Sequence, residues 1–545
     1  VSEIPEEYLP PKDYLSDKVF ALPEVRIADE INLGQYFLDR HVLEGRGSNI
    51  AILYKDQKIT YEELQKKANR CANAFRSLGI EKNDRVMLRS PNRPEFVIAV
   101  FACWKIGAIP VLTHHLLKAE DIIFRANDSE SKAIVVSSDA FSEVRTALGE
   151  CKTIKAVIVF GEEIKGHLFF DSINNGQPDD VELAETTRDD WGRIIYSSGT
   201  TGKPKGILNS IGDLVTAITI ANRYLLNLRT EDVLGGHPAF TFAFGFFPIL
   251  FMGHSGCSLS IVDYTDTKDM FMTIEDHRIT VLRCVPTVYR MMLQSADAAE
   301  GKYDLSSLRL CQSAGEWLPA STAMEWKKKY GVEILDSVGS ADLHSIVSHR
   351  QGTPDDKLDS SGIPLPGIDC RLVDGNFRVV KRGMAGELIL RAPWGLQYWR
   401  RPDIQKQNVI NGWNRTGLVF EEDDDGYFWL KGRNDDMIVS SGYKIPGGEV
   451  ENVLLTHNAV HEVAVVPKPD PVRGNIVKAY VVLVEGVEPS EKLAQQLKNY
   501  VKEKLEPYKY PREIEFAAGE LLPRTSTGKI QRFVLKENEI ERSKI

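Results

Sequence analysis

From residue 50 onward, short runs of aliphatic and β-branched residues alternate with helical patterns, and few architectures accept such a chain. "IAILY" precedes "ITYEELQKKANRCANAFRSLGI", and "DRVMLRS", "AIPVLT", "AIVVSS" and "AVIVF" each lie near a further helical pattern. Short continuous apolar runs read as strands buried on both faces, which calls for mostly parallel sheet covered by helices. Thr60 and Glu63 are spaced as a capping box at the start of the first helix. Leu64, Ala68, Cys71, Ala72 and Phe75 then share one helical face. Before this alternation the sequence predicts an extended Pro-rich lead and a helix over "NLGQYFLDRHVLEG".

The chain has 545 residues, more than one core supports, since single cores rarely grow past ~250–300 residues. The texture changes near Glu421, where "EEDDDGYFWLKGRNDD" puts an acidic turn, an aromatic strand and a charged loop in quick succession. The C-terminal remainder reads as a smaller α+β unit: a helix around "GGEVENVLLTH", strands "VHEVAVVPKP" and "VKAYVVLVE", and a helix "SEKLAQQLKNYVKEKL". The expected boundary is at about Lys431, giving domains 1–430 and 431–545.

A net charge of −10 argues against nucleic-acid binding, which needs a basic face. Seven cysteines, odd in number and never spaced CxxC, suit reduced thiols in the cytoplasm rather than disulfides or zinc. The N-terminus lacks the basic-then-apolar pattern of a signal peptide. The most apolar run, "AFTFAFGFFPILFMG" (239–253), is shorter than the ~20 residues a membrane span needs and is expected to be broken by Gly245 and Pro248. It reads as a buried segment or pocket wall.

"YSSGTTGKPKG" (196–206) gathers glycines, hydroxyls and lysines directly after an apolar strand. Glycine lets backbone amides approach an anion, hydroxyls add donors and lysine adds charge, so the stretch reads as a phosphate-binding loop. Its spacing is not that of a Walker loop. Further along come "SAGEWLP", "DSVGSADLH", "GWNRTG", "KGRNDDMIVSSGYKI" and "LPRTSTGKIQR". In this order the motifs resemble the adenylate-forming superfamily of acyl-CoA synthetases, luciferases and peptide-synthetase adenylation domains, over nearly the whole chain.

The resemblance implies an α/β fold, with a large N-terminal domain of helix-flanked sheets and a small mobile α+β C-terminal domain. It implies an ATP-dependent acid–CoA ligase, using ATP, Mg²⁺ and coenzyme A, that makes an acyl-AMP and passes the acyl group to a thiol. Ser197, Ser198, Gly199, Thr200, Thr201, Gly202, Lys203 and Lys205 would hold the phosphates. Gly315, Glu316 and Trp317 would pack on adenine, with Asp336 near its amino group and Ser340 also at the nucleotide. Asp342 stands in the Mg²⁺ slot, where relatives carry Glu. Arg433 would meet ribose or phosphate. Lys529 would be the catalytic cation, Asp435 the hinge, and Ser441, Gly442 and Tyr443 the coenzyme A tunnel. Leu418 departs from the pattern, since relatives have a ribose-binding Asp there; the expectation is weakened ATP binding, or a nearby acid such as Glu421 or Glu422 substituting. A second departure is "IPGGEVE", where relatives tend to carry a bulkier residue in place of one glycine.

"LDRHVLEGRG", "GGHPAFTFAFG", "VPTVYRMM" and "GSADLH" are most similar to benzoate and 2-aminobenzoate CoA ligases. By that likeness His237, Phe240, Phe242, Tyr289, Gly339 and His344 would line a slot for a flat ring or short acyl chain. Short and medium aliphatic acids stay open. So do a carrier-protein-loading enzyme, a luciferase-like oxidase, and a degenerate homologue that binds without turnover. The expected partners are a carboxylic acid and coenzyme A, with no nucleic acid and no membrane span, and a homodimer is a candidate assembly.

Overall fold

The computed structural model describes every residue except 1–2, 198–203, 237, 263–265, 298–300, 434–436, 441–442, 471–472, 506–507, 518–521, 525–529 and 544–545, and at 439, 443 and 444 it describes the backbone alone. The chain divides into two compact units. The first comprises Val1–Ser197, Pro204–Cys370 and Leu390–Asn414; the second includes Arg371–Ile389 and Arg415–Ile545.

The predicted alternation builds two large sheets in the first unit. One runs, strand by strand, Leu168–Phe169, Ala156–Phe160, Ser131–Ser137, Arg85–Arg89, Ile109–Thr113, Trp191–Ser197, Lys205–Ser210. All its pairings are parallel except the last. The other has a parallel centre of six strands: Ile334–Ser340, Leu310–Ala314, Val281–Cys284, Val233–Gly236, Ser258–Ile261 and Ile50–Tyr54. Antiparallel strands flank that centre, His344–Ser348 on one side and Gln57–Thr60 on the other. The expected helix over Tyr61–Ser77 opens with the expected capping box. Thr60 Oγ1 accepts from the Glu63 amide (3.2 Å), and Glu63 Oε2 accepts from the Thr60 amide (2.8 Å).

The apolar run at 239–253 is buried, as expected, but Pro248 does not break it: one helix spans Ala243–Ser255. Proline lacks the N–H that would bond the carbonyl four residues back. That carbonyl, on Phe244, accepts from Nη1 of the buried Arg283 instead, at 3.0 Å. No helix among the described residues is long and apolar enough to cross a membrane. All seven cysteines are free thiols, six of them buried.

In the second unit, Val460–Asp470 and Gly474–Leu483 pair antiparallel, and Glu513–Phe516 adds a parallel strand. Helices Gly447–Leu455, Glu491–Lys504 and Arg532–Arg542 complete the predicted α+β pattern. Lys478, buried on the second strand, is held by Glu515 (2.7 Å) and by Glu539 of the last helix (3.0 Å). That pairing ties the C-terminal helix to the sheet; an unpaired charge at such depth would cost several kcal/mol.

Candidate active site

Asp336 sits on the last parallel strand of the larger sheet of the first unit, between Leu310–Ala314 and the antiparallel His344–Ser348. Its strand pairs with Leu310–Ala314, Ser313 lying opposite Asp336, so the segment Gly315–Trp317 leaves the sheet beside it. Gly315 adopts φ +93°, a conformation that glycine tolerates best. Glu316 is exposed and accepts from the Thr287 hydroxyl (2.7 Å), while Trp317 is half-buried. Asp336 is 3% exposed, and its Oδ1 has no hydrogen-bond partner. Burial pushes its carboxyl up to about 8. A buried acceptor left open in this way suits a ligand N–H, since an unsatisfied group costs about 1–3 kcal/mol.

A chain of buried polar groups runs across four strands to the Asp336 backbone. Arg283 Nε donates to Gln312 Oε1 (2.6 Å), and Gln312 Nε2 donates to Ser337 Oγ (3.1 Å). Ser337 Oγ and Ser348 Oγ share a bond of 2.8 Å, and the Ser348 hydroxyl also contacts the Asp336 carbonyl at 2.9 Å. None of these partners is a sequence neighbour of the next, apart from the final return to Asp336 beside Ser337.

The strand Ile334–Ser340 turns back into His344–Ser348 through the segment carrying Asp342. A Cβ on Gly339 would lie 1.9 Å from the His344 carbonyl oxygen, so only glycine fits there. Ser340 is exposed, and its Oγ accepts from the Leu343 amide (3.1 Å). Asp342 is half-buried, and its Oδ2 accepts from the Tyr398 hydroxyl at 2.8 Å. Tyr398 also bridges Ile207, on the strand that begins at Lys205. One tyrosine therefore holds the acidic turn to the strand leaving the glycine-rich stretch. Ser197, half-buried, lies opposite Lys205 in register. Of the residues joining them, Ser198, Gly199, Thr200, Thr201, Gly202 and Lys203 lie outside the described residues, as does His237.

The residues expected to line the acyl slot have the following surroundings. Tyr289 is a core residue: it is fully buried, its hydroxyl donates to the carbonyls of Leu282 (3.0 Å) and Gln312 (2.9 Å), and its ring packs on Trp326. Phe240 is buried near Phe96, with ring centroids 5.8 Å apart, and Asn92 Oδ1 accepts from its amide (2.7 Å). Phe242 is half-buried and stacked at 4.7 Å on His114, whose imidazole burial pushes down to about 3. His344 is buried with φ +56°, its ring 5.4 Å from both Phe247 and Trp394. His114, Phe247, Trp394 and the buried Arg193 are neighbours that the motifs do not single out. For Arg193 a signal existed: a lone cation inside the apolar run "RIIY".

In the second unit, Leu418 pairs with Arg433, which is exposed. The expected substitutes are already engaged, Glu421 with Lys431 (3.1 Å) and Glu422 with Arg382 (2.6 Å). Three or four residues along a strand is about 10–13 Å, too far to replace a carboxylate at position 418. Lys529, Asp435, Ser441 and Gly442 lie outside the described residues, as does the Tyr443 side chain. The flanks of Lys529 are well held. Arg524 bridges Ile530, the Gln531 amide donates to the Pro523 carbonyl (2.7 Å), and Arg532 clasps Glu451 with two bonds of 2.6 and 2.7 Å.

The AMP-binding enzyme family matches residues 39–399, and the AMP-binding enzyme C-terminal domain matches 449–529. A benzoate–CoA ligase of Thauera aromatica is 33% identical, over 94% of this chain and 97% of the relative. An anthranilate CoA ligase solved with anthranoyl-AMP superposes with a TM-score of 0.88 at 32% identity, covering 96% of this chain and all of that one. A benzoate CoA ligase from Burkholderia xenovorans gives 0.83 at 30% identity, covering 93% and 100%. With both parts of the chain matched and the relatives covered almost end to end, the chain belongs to the AMP-binding enzyme family, among the adenylate-forming enzymes.

Proposed function

We propose that the protein is an AMP-forming acid–CoA ligase acting on an aromatic carboxylic acid of the benzoate or 2-aminobenzoate type. One observation carries the reading: 96% of the chain superposes on an anthranilate CoA ligase that holds anthranoyl-AMP. A carboxylate cannot acylate a thiol directly, because oxide is too poor a leaving group. The acid's oxygen attacks the α-phosphorus of ATP and pyrophosphate departs. The thiol sulfur then attacks the acyl carbon, AMP leaves, and the thiol proton passes to solvent. The first step is an in-line displacement, so the protein's work is positioning and charge stabilisation.

In this reading Asp336 Oδ1 accepts the adenine amino group, with Gly315, Glu316 and Trp317 alongside the base and Ser340 near the nucleotide. Ser197, Lys205 and the hydroxyls and lysine between them hold the phosphates. Asp342 suits Mg²⁺, a hard cation that takes oxygen ligands, and Tyr398 occupies only one of its oxygens. No group of three His, Cys, Asp or Glu among the described residues could hold a metal, so the phosphates would complete the ion's shell and have their charge neutralised by it. Lys529 stabilises charge on the carboxylate and α-phosphate. The small domain, 431–545, then turns about Asp435, withdrawing Lys529 and presenting Ser441, Gly442 and Tyr443 to pantetheine, while Arg433 contacts ribose or phosphate. A cytoplasmic location suits the free thiols, and a homodimer is the assembly we put to test by light scattering.

Carboxylate-dependent ATP–pyrophosphate exchange across aromatic and aliphatic acids, with mass detection of acyl-CoA, tests the reading. Aromatic acids are expected to lead, and Lys529→Ala to lower exchange by about 100-fold or more, the scale of losing one charge-stabilising donor. Silence across the panel, or full exchange in Lys529→Ala, overturns it.

A further inference from the structure

Arg193 is fully buried on the strand Trp191–Ser197. Its Nε donates to Oδ1 of Asn209 (2.8 Å), the residue opposite it in register. Nη1 and Nη2 have no partner, and neither has Asn209 Nδ2. The guanidinium lies 4.9 Å from the Phe246 ring and 5.9 Å from the Phe247 ring. Phe247 in turn packs against His344, whose two ring nitrogens are both buried and unpartnered. Burial and the nearby Arg193 charge hold that imidazole neutral. Burial also lowers the Arg193 guanidinium, to about 9, which leaves it charged at neutral pH.

The cluster therefore contains three nitrogens that can only donate, two of them on a buried cation, and among the described residues no carboxylate meets them. A buried charge normally demands a partner, because desolvation costs several kcal/mol. Two aromatic faces soften the electrostatics, yet cation–π contact offsets only part of that penalty. The missing component is an acceptor, and an acceptor with two oxygens fits a guanidinium fork best. The cluster belongs entirely to the first unit and borders His344, which comes directly after the Gly339–Asp342 turn.

We infer that Arg193, with Asn209 and His344, forms an acceptor-binding subsite for the acid, selecting one that carries a second carboxylate remote from the reacting one. This deepens the acid-ligase reading and rests on it. A ring bearing only a donor substituent, such as an amino group, meets three nitrogens that only donate and at most a single acceptor, on the neutral His344. A site built to bond a substrate group rejects the analogue lacking it strongly, because its own polar groups stay unpaired.

The experiment measures pyrophosphate exchange with benzoate, 2-aminobenzoate, isophthalate and terephthalate, in the wild type, Arg193→Met, Arg193→Lys and Asn209→Leu. At least one dicarboxylate is expected to exceed benzoate in kcat/KM by about 100-fold or more. Arg193→Met should erase that ratio, with Arg193→Lys falling between because lysine keeps the charge without the fork. Benzoate activation with no dicarboxylate above it overturns the inference and leaves the ligase reading standing. A ratio unchanged in folded Arg193→Met also overturns it and marks ordered water as the occupant. Should Arg193→Met fail to fold, Asn209→Leu and Arg193→Lys supply the same ratio. If no acid supports exchange, the ligase reading fails separately. Thermal stabilisation of the wild type by each dicarboxylate alone then decides: stabilisation lost in Arg193→Lys supports the subsite, and its absence in the wild type overturns it.

Discussion

Replacing Asp336 with Asn removes a titration that burial has displaced far from its ordinary range. The carboxyl rises from 3.8 to about 8 because the charged form is desolvated. The unfolded chain releases this proton near pH 4 and the folded protein only near pH 8, so between those values the folded state binds more protons. Stability from this group is thus complete below about pH 4 and declines as pH rises, at about 1.4 kcal/mol per pH unit, until the folded carboxyl also ionises. Over pH 5 to 8 the wild type should lose about 4 kcal/mol that Asp336→Asn retains. Asn is nearly isosteric and keeps an acceptor oxygen, so packing changes little and the effect is confined to the slope. The assay is urea unfolding of both proteins at pH 5, 6, 7 and 8, monitored by near-ultraviolet circular dichroism. A gap between the two proteins that is the same at pH 5 and pH 8 would refute the reasoning.

Arg283→Met should destabilise the first unit by about 2–5 kcal/mol, because the Phe244 carbonyl and Gln312 Oε1 lose their buried donor. Adding Pro248→Ala supplies an N–H to Phe244 and should recover about 1 kcal/mol; a double-mutant cycle with no coupling would count against the exchange. Tyr289→Phe should cost about 1–3 kcal/mol, since two buried carbonyls lose a donor, and should leave the relative kcat/KM of benzoate and aliphatic acids as it was. A change in that selectivity would return Tyr289 to the pocket. Leu418→Asp should lower the ATP KM by about 10-fold, on the scale of one charge-assisted hydrogen bond at ~1.5–3 kcal/mol. An unchanged KM would show that ribose is held without it.

Some of this was legible in the chain because the responsible interactions are local. The Thr60–Glu63 cap spans three residues, and the apolar runs announce parallel strands whatever lies beyond them. The order of the motifs marked the family, and the "DSVGSADLH" stretch singled out Asp336 and Asp342 as candidates. Position alone could not say that Asp336 has an open oxygen. That depends on burial in a sheet whose neighbouring strands come from residues 310–314 and 344–348.

Periodicity and motif spacing report what a residue's neighbours within a turn or a strand require. On those terms the order of residues was enough for the alternating α/β architecture, the smaller α+β unit and the candidate nucleotide site. It was not enough for Pro248, whose helix stays whole because Arg283, 35 positions along the chain, supplies the donor that proline lacks. Nor could it place Tyr289 in the core or leave Arg193 buried without a counter-charge. A buried polar atom's partners come from distant strands, and whether they arrive is settled by packing, which no local pattern encodes.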